Sequence, residues 1–486
     1  MGGAAGINLL LGMVRVKFAA VLIGATGVGL NASFTAVQGL VGTVAGLGIQ
    51  SSAVREIAAA MGKGDEPAIG RAVLTLRRIC WLTGLLGMAV MMLLSPLISQ
   101  FTFGHQDYAL DIAALGLVIL FGNLSGGQIA LIQGMRRIGD MARANIIGAV
   151  FGTVAAIGFY AGLGVRGIIP TLVAVSAFQL ALSWYYARKL PVPKVKLSLR
   201  HTLAEAGDMV RLGLVFMANG LMGSAVAYVT VALITRYEGM QAVGLYSAAY
   251  ALSGMFVNFV LSAMGADYYP RLTAAVPDHA AMNRLVNEQT EIGLLLALPG
   301  LLATLALAPW ILQIFYTGEF LGAAALLQWF ILGCLGRVIS WPLGFVMLAL
   351  GKGRWYLLTE TSFNVLHVAA IALGLRYWGI EGVAIAFFMM YLGYIMAVYW
   401  VCRYLTGFSW SPACNRIAFI GLPALGTAFI ACRSFSLWPA SALGLLLTLL
   451  LSIYCLGGLA GRVGSEHRIV RAIAKLTGSR LRLLPH

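Results

Sequence analysis

Three basic side chains stand inside segments that are otherwise apolar enough to cross a membrane. Arg15 and Lys17 lie in the middle of the first such segment, and Arg337 lies in the middle of the tenth. A Lys or Arg at the centre of a spanning helix costs roughly 2.5 to 3.5 kcal/mol on insertion scales, so charges of this kind indicate function. Arg15 and Lys17 are about 200° apart around a helix and cannot share one narrow face. At least one can therefore face an internal cavity, while the other meets a neighbouring helix or reaches the membrane surface.

Two further cations occupy equivalent places at the ends of segments. Arg55 closes the second segment and Arg271 closes the eighth, 216 positions later. Ordinary anchoring at the membrane surface is the alternative explanation for this pair. A structural ion pair or a side chain that reaches the membrane surface is the alternative for the three intramembrane cations. The residues expected to bind a ligand are Arg15, Lys17, Arg55, Arg271 and Arg337.

Acidic residues are scarce in and beside the same segments. Asp111, Asp267, Glu291 and Glu360 are the ones we identify, and all lie toward segment ends. Asp267 stands one helical turn before Arg271 and can pair with it, and Glu360 is the other candidate for pairing or ion coupling. An excess of cations in a cavity suits an anionic cargo, because phosphate groups supply the counter-charge. We find no pattern that predicts a catalytic or metal site, and we expect no cofactor.

Composition determines the class of protein. Of the 486 residues 60% are hydrophobic and only 10% are charged, and the mean hydropathy is +0.88. A soluble domain cannot keep such a chain solvated. Segments of about 20 apolar residues predict an all-α membrane protein with about fourteen transmembrane helices. The segments are 6–24, 28–53, 79–104, 108–133, 144–164, 167–187, 212–235, 242–266, 290–316, 320–350, 355–375, 382–402, 416–432 and 438–461.

Basic residues between the segments predict the orientation. Of the 33 Lys and Arg residues, 26 fall in the connections after even-numbered segments or in the C-terminal tail. By the positive-inside rule both termini face the cytoplasm, and we expect an inner-membrane protein. The net charge of +16 then reflects topology and lipid headgroup contact, and nucleic acid is not an expected partner.

The chain repeats itself at a nearly constant offset. Residues 27–30 (GVGL) match 242–245 (AVGL), and 164–167 (GVRG) match 379–382 (GIEG), in both cases 215 positions later. Because the paired elements have the same orientation, we expect two parallel-repeat lobes of six helices with a cavity between them. The expected division is an N-terminal lobe 1–187, a cytoplasmic linker 188–211, a C-terminal lobe 212–405, an accessory helix pair 406–461 and a basic cytoplasmic tail 462–486.

Several short motifs resemble one transporter family. They are KFAAVLIGATGVGL at 17–30, DYYPR at 267–271, NEQ at 287–289, LGCLGRVISW at 332–341 and LGK at 350–352. They resemble the Wzx-type O-antigen and polysaccharide-unit translocases of the multidrug/oligosaccharidyl-lipid/polysaccharide exporter superfamily, over about residues 6–405. That family often has an acidic residue before the basic position of helix ten, where this chain has Cys334.

The resemblance implies a flippase and not an enzyme. It would move an undecaprenyl-pyrophosphate-linked oligosaccharide from the cytoplasmic to the periplasmic leaflet, as lipopolysaccharide and O-antigen assembly requires. Membrane lipids and a polysaccharide polymerase or other assembly proteins are the further partners it implies. An ion-coupled multidrug exporter of the same superfamily is one alternative, and a transporter-like assembly protein that moves no substrate is another.

Overall fold

A computed structural model describes residues 2–463 apart from Lys194 and Lys196, and the described part of the chain is helical. The tail predicted at 462–486 lies outside the described residues from position 464 onward. The helices are α1 Gly2–Gly46, α2 Ile49–Lys63, α3 Glu66–Phe103, α4 Ala109–Gly134, α5 Ile138–Leu163, α6 Ile168–Ala187, α7 Leu199–Glu238 and α8 Met240–Ala274. They continue with α9 His279–Ala306, α10 Ala308–Phe315, α11 Ala324–Ala349, α12 Gly353–Trp378, α13 Glu381–Thr406, α14 Pro412–Ser434 and α15 Leu437–Val463.

Twelve helical stretches in the described chain are long and apolar enough to cross a membrane. The first contains two helices, because Gly24 at φ 65° and ψ −175° interrupts α1 in a conformation that glycine tolerates. The fourth, Ile138–Ala187, contains both α5 and α6. With these two divisions the stretches correspond to the fourteen predicted segments. The predicted all-α membrane fold is confirmed, and the protein is an integral membrane protein.

Three predicted boundaries differ from the structure. Segment 28–53 is broken after Gly46, because Leu47 and Gly48 both adopt positive φ before α2 begins. Segment 290–316 is replaced by α9 and the short helix α10. The second half of the expected linker is already helical, since α7 begins at Leu199.

The chain divides into two compact units. Unit 1 comprises the chain up to Ser247 together with Ile314–Glu319, and unit 2 comprises Ala248–Gln313 and the chain from Phe320 onward. In unit 1 α3 packs on α4, α1 on α5, and α7 on α1, α2 and α3. The seventh helix is thus grouped with the N-terminal helices, whereas the expected C-terminal lobe begins at 212. The division into lobes of six helices remains a prediction.

Two glycines related by the repeat contact each other's helix inside unit 1. A Cβ atom built on Gly29 would lie 2.0 Å from the carbonyl oxygen of Met240, and one built on Gly244 would lie 2.0 Å from that of Ala25. Each glycine therefore faces the carbonyl of the residue four positions before the other. Only hydrogen at both positions allows this approach, and close Cα–H contacts with carbonyl oxygens recur where helices meet in this way.

Unit 2 is built around α9, which packs on α11, α14 and α15. Asn287 of α9 fixes the turn before α14, because its side chain donates to the Ser409 carbonyl at 3.0 Å and accepts from the Ser411 amide at 2.8 Å. Tyr268 is buried and donates its hydroxyl hydrogen to the Pro342 carbonyl at 2.9 Å. Two of the motifs that carry the family resemblance therefore have packing roles.

A polar cluster joins three helices at another point of unit 2. Glu381 of α13 accepts hydrogen bonds from the Trp329 indole of α11 at 2.7 Å and from Arg433 of α14. Arg433 lies after the thirteenth segment, in one of the connections where basic residues are few. Its ion pair with a carboxylate compensates its positive charge there.

Asp278 caps the N-terminus of α9 and gives a pH-dependent prediction. Its carboxylate accepts from the amides of Ala281 at 3.0 Å and Ala280 at 2.9 Å. The Ala281 bond above all, with the Ala280 bond and the nearby Arg284 and His279, lowers the pKa of Asp278. A carboxyl whose pKa falls on folding contributes stability above its unfolded pKa of about 3.9, and that stability is lost as pH falls through the native value.

We therefore expect Asp278→Ala to lower the thermal unfolding midpoint of purified protein at pH 7, and the difference from wild type to narrow below about pH 4. Asp278→Asn is the matched control, because asparagine keeps the cap and does not titrate. This account would be contradicted if the thermal unfolding midpoints of Asp278→Ala and wild type differed by the same amount at pH 7 and at pH 3.5.

Candidate functional site

A cavity of about 780 Å³ in unit 1 contains the first of the predicted cations. Both parts of α1 line it, with α4, α5, α6 and Tyr316, and we call it the Arg15 cavity. Among its described lining residues Arg15 is the only charged one. The remaining polar lining residues are Asn31, Thr35, Gln38, Ser125, Tyr160, Thr171, Ser176, Gln179 and Tyr316. The cavity thus presents one cation surrounded by hydroxyls and amides that can bond an oxygen-rich ligand.

Two glycines of α5 line the cavity beside Arg15 and Gln179. A Cβ atom built on Gly152 would lie 3.7 Å from an Arg15 guanidinium nitrogen, and one built on Gly148 would lie 2.4 Å from Oε1 of Gln179. Sequence alone explains the Gly148 and Gly152 pair as close helix packing. In the structure Gly148 also makes room for the Gln179 amide, whereas the separation at Gly152 is an ordinary van der Waals contact. Oδ1 of Asn31 is buried without a hydrogen-bond partner and offers an unused acceptor beside the same cavity.

Lys17 faces a different neighbour. It is half-buried, and its ammonium group donates to the carbonyl oxygen of Tyr316. Three residues later in the same segment, Glu319 accepts from the amide of Ala25 at 3.2 Å and so caps the helix that follows Gly24. Segment 314–319 belongs to unit 1 although the chain on either side belongs to unit 2. Arg15 and Lys17 thus occupy different faces of α1, as their spacing predicts.

Arg337 lies in a second, smaller cavity, which belongs to unit 2. This Arg337 cavity has a volume of about 280 Å³ and is also lined by Glu360, Trp341, Tyr391 and Tyr394. Tyr394 donates its hydroxyl hydrogen to Glu360, and both Arg337 and Glu360 are half-buried. The cavity combines a cation, a carboxylate and aromatic faces, which together can bind a hydroxylated ring.

The remaining predicted residues lie away from both cavities. Arg271 and Asp267 form an ion pair of 3.3 Å on α8, with side chains 54% and 77% exposed, so neither is held in a buried site. Arg55 is exposed on α2. Exposed pairs of this kind contribute roughly 0.3 to 0.5 kcal/mol on a helix, so their effect on stability is small.

Sequence reasoning missed several polar groups that the structure brings to these sites. Glu319 was overlooked because it lies just before the tenth segment, and its position beside an apolar segment was the available signal. Asn31, Gln38 and Gln179 carry no charge, and nothing in the sequence distinguishes them from other amides in helices. The structure brings Arg337 together with Glu360, and it brings Arg15 together with these amides.

A profile described as polysaccharide biosynthesis protein matches residues 20–325. The lipid III flippase of Escherichia coli (strain K12) is 26% identical over 408 residues, which cover 80% of this chain and 92% of that protein. The succinoglycan biosynthesis transport protein ExoT of Rhizobium meliloti (strain 1021) is 26% identical over 305 residues, covering 59% of this chain and 55% of that protein.

Solved structures share the fold. The lipid II flippase MurJ in an inward closed conformation has a TM-score of 0.69 at 15% identity, covering 94% of this chain and 99% of that one. An inward-facing multidrug resistance transporter of the MATE family has a TM-score of 0.68 at 16% identity, and the match covers 82% of this chain and 94% of that one. These matches agree with the resemblance that the sequence motifs indicate.

Proposed function

Because the chain belongs to the polysaccharide biosynthesis protein family, we propose that it flips an undecaprenyl-pyrophosphate-linked oligosaccharide, such as an O-antigen-like repeat unit, from the cytoplasmic to the periplasmic leaflet. The relatives named as a lipid III flippase and a succinoglycan transport protein support a lipid-linked saccharide as the cargo. Two lobes, 1–187 and 212–405, rock about the bound cargo and expose it alternately to each side.

The observation that carries the proposal is the isolated cation of the Arg15 cavity. A guanidinium within a membrane-spanning unit needs a counter-charge, and none of the described residues lining its cavity is acidic. A pyrophosphate supplies that charge, since the planar guanidinium matches phosphate oxygens in a bidentate manner. The amides and hydroxyls around it suit sugar hydroxyls, while the polyprenyl tail stays in the lipid.

The other predicted residues take subsidiary roles in the proposal. Arg55 and Arg271 attract the anionic head at the membrane surface, and Lys17 holds segment 314–319 in place beside the Arg15 cavity. Arg337 and Glu360 contact sugars or take part in coupling from the second cavity. An inside-negative membrane potential favours outward movement of net negative charge by about 2.3 kcal/mol per charge per 100 mV.

The test uses purified protein in proteoliposomes and a fluorescent oligosaccharide on three lipid carriers. The carriers are a polyprenyl pyrophosphate, a polyprenyl monophosphate and a neutral polyprenyl glycoside. Accessibility of the label to a membrane-impermeant quencher measures movement between leaflets. We expect the pyrophosphate carrier to move at least tenfold faster than the neutral one. Equal rates for all three carriers, or active transport of cationic drugs in place of the glycolipids, would reject the proposal.

A further inference from the structure

A second cavity in unit 1 lies apart from the Arg15 cavity. It has a volume of about 980 Å³, is lined by α3, α4, α6 and the chain that follows α6, and shares no lining residue with the Arg15 cavity. We call it the α3–α6 groove. The function proposed above makes no use of it.

Specific contacts build one end of the groove. Arg78 of α3 donates to the Leu197 carbonyl at 3.1 Å and to the hydroxyl of Thr202, which fixes the chain that follows α6. A Cβ atom built on Gly70 would lie 2.5 Å from the Val195 side chain and 2.7 Å from the Pro193 carbonyl. Pro193 and Val195 therefore lie directly on α3 and line this end of the groove.

The same end carries positive charge. Arg77 and Arg188 line it, and none of the described lining residues is acidic. The Arg188 guanidinium lies 5.1 Å from the ring centroid of Trp184, a cation–π contact between two residues that line the groove. Trp81 and Trp184 are 53% and 54% exposed and flank the groove. Exposed tryptophans are enriched where the hydrocarbon core meets the headgroups.

Away from its basic end the groove is apolar and as deep as one leaflet. Its wall on α6 runs from Ala187 to Ala177, eleven residues or about 16 Å of helix, which is close to half of a hydrocarbon core of about 30 Å. Leu120, Leu124 and Leu180 line this part. Gln128 is the one uncharged amide among the described lining residues.

We propose that the α3–α6 groove binds one anionic glycerophospholipid of the leaflet at its basic end. The phosphate contacts Arg77 and Arg188, and an acyl chain follows the apolar wall. Basic pockets between helices on the cytoplasmic side suit anionic headgroups, and the charge pattern of the sequence assigns this end to the cytoplasmic leaflet. The pyrophosphate of the transported cargo is placed elsewhere, in the Arg15 cavity, so the groove is a site for a resident lipid.

The test measures lipid retention by native mass spectrometry after exchange into phosphatidylglycerol or phosphatidylcholine. Wild-type protein should retain one phosphatidylglycerol in preference to phosphatidylcholine. The double variant Arg77→Gln with Arg188→Gln should weaken retention of phosphatidylglycerol by roughly 25-fold, since each basic residue contributes about a fivefold effect. Ala181→Trp, which fills the groove without changing its charge, should weaken retention of the bound lipid as well.

The matched control is Lys352→Gln with Arg354→Gln, which removes two exposed charges at the equivalent predicted membrane face of unit 2. It should leave retention unchanged. The double variant Arg77→Lys with Arg188→Lys keeps both charges and should retain the lipid. Comparison with the glutamine double variant then separates loss of charge from misfolding. Equal losses in the control and groove variants would overturn the proposal. It would also be overturned if the groove double variant lost bound undecaprenyl phosphate and kept phosphatidylglycerol.

Discussion

Replacing Arg15 with glutamine is expected to raise the half-saturating concentration of pyrophosphate-linked substrate by about 30-fold. A hydrogen bond to a charged group contributes about 1.5 to 3 kcal/mol, and 2 kcal/mol corresponds to this factor at 25 °C. Arg15 is the only charge among the described residues of its cavity, so no neighbouring cation there replaces it. The measurement is the initial rate of leaflet exchange against substrate concentration in proteoliposomes.

Two variants on the same helix make this result specific. Arg15→Lys keeps the charge but loses the bidentate geometry, so it should fall between wild type and Arg15→Gln. Lys17→Gln removes the ammonium that donates to Tyr316 and should lower the thermal unfolding midpoint more than it changes the half-saturating concentration. Equal loss of substrate affinity in Lys17→Gln and Arg15→Gln would show that charge near this part of α1, and not the cavity position, determines binding.

Substituting alanine for Gly29 is expected to destabilise the protein by about 3 kcal/mol, the upper part of the range for overpacking. The added methyl would lie 2.0 Å from a backbone oxygen of Met240, and a backbone atom cannot rotate away as a side chain can. At Gly39 the added methyl would have no atom within 4 Å. Replacing a glycine inside a helix with alanine there should stabilise the protein by roughly 1 kcal/mol. The two variants should therefore shift the thermal midpoint in opposite directions.

A double-mutant cycle tests the mutual contact directly. Gly244→Ala should cost about as much as Gly29→Ala, because its methyl would be equally close to Ala25. Once one methyl has separated the helices, the second has less to displace, so the double variant should cost less than the sum of the two single variants. If the two destabilisations simply add, or if Gly29→Ala and Gly39→Ala have equal thermal midpoints, the helices do not approach this closely in the purified protein.

The helical content and the number of crossings could be predicted from sequence because apolar length is a local property. The break at Leu47 and Gly48 could not be predicted from sequence, because it depends on a contact with a distant residue. A Cβ atom built on Gly48 would lie 2.1 Å from the carbonyl of Gly213, far away in the chain. Local apolarity continues through this turn, so the predicted segment did not end there.

The charged residues of the candidate site could be predicted from sequence, but their surroundings could not. The cost of intramembrane charge identified Arg15, Lys17 and Arg337, and the spacing of the first two predicted that they face different neighbours. Which of them lines a cavity depends on the helices α4, α5 and α6 around Arg15 and on the carbonyl of Tyr316 near Lys17, and none of these lies near α1 in sequence. The pairing of Asp267 with Arg271 was predictable because both lie on one helix, one turn apart.

The contact between Gly29 and Gly244 also bears on how such a chain could arise. The two residues stand 215 positions apart at matching places of the repeat, and each approaches the backbone of the other in the same way. Identical surfaces that meet reciprocally are what a symmetric homodimer presents on its two-fold axis. A half-length ancestor could therefore have paired with its own copy through this one glycine. In such a dimer a single substitution would alter the contact twice, whereas gene fusion lets each side change by itself.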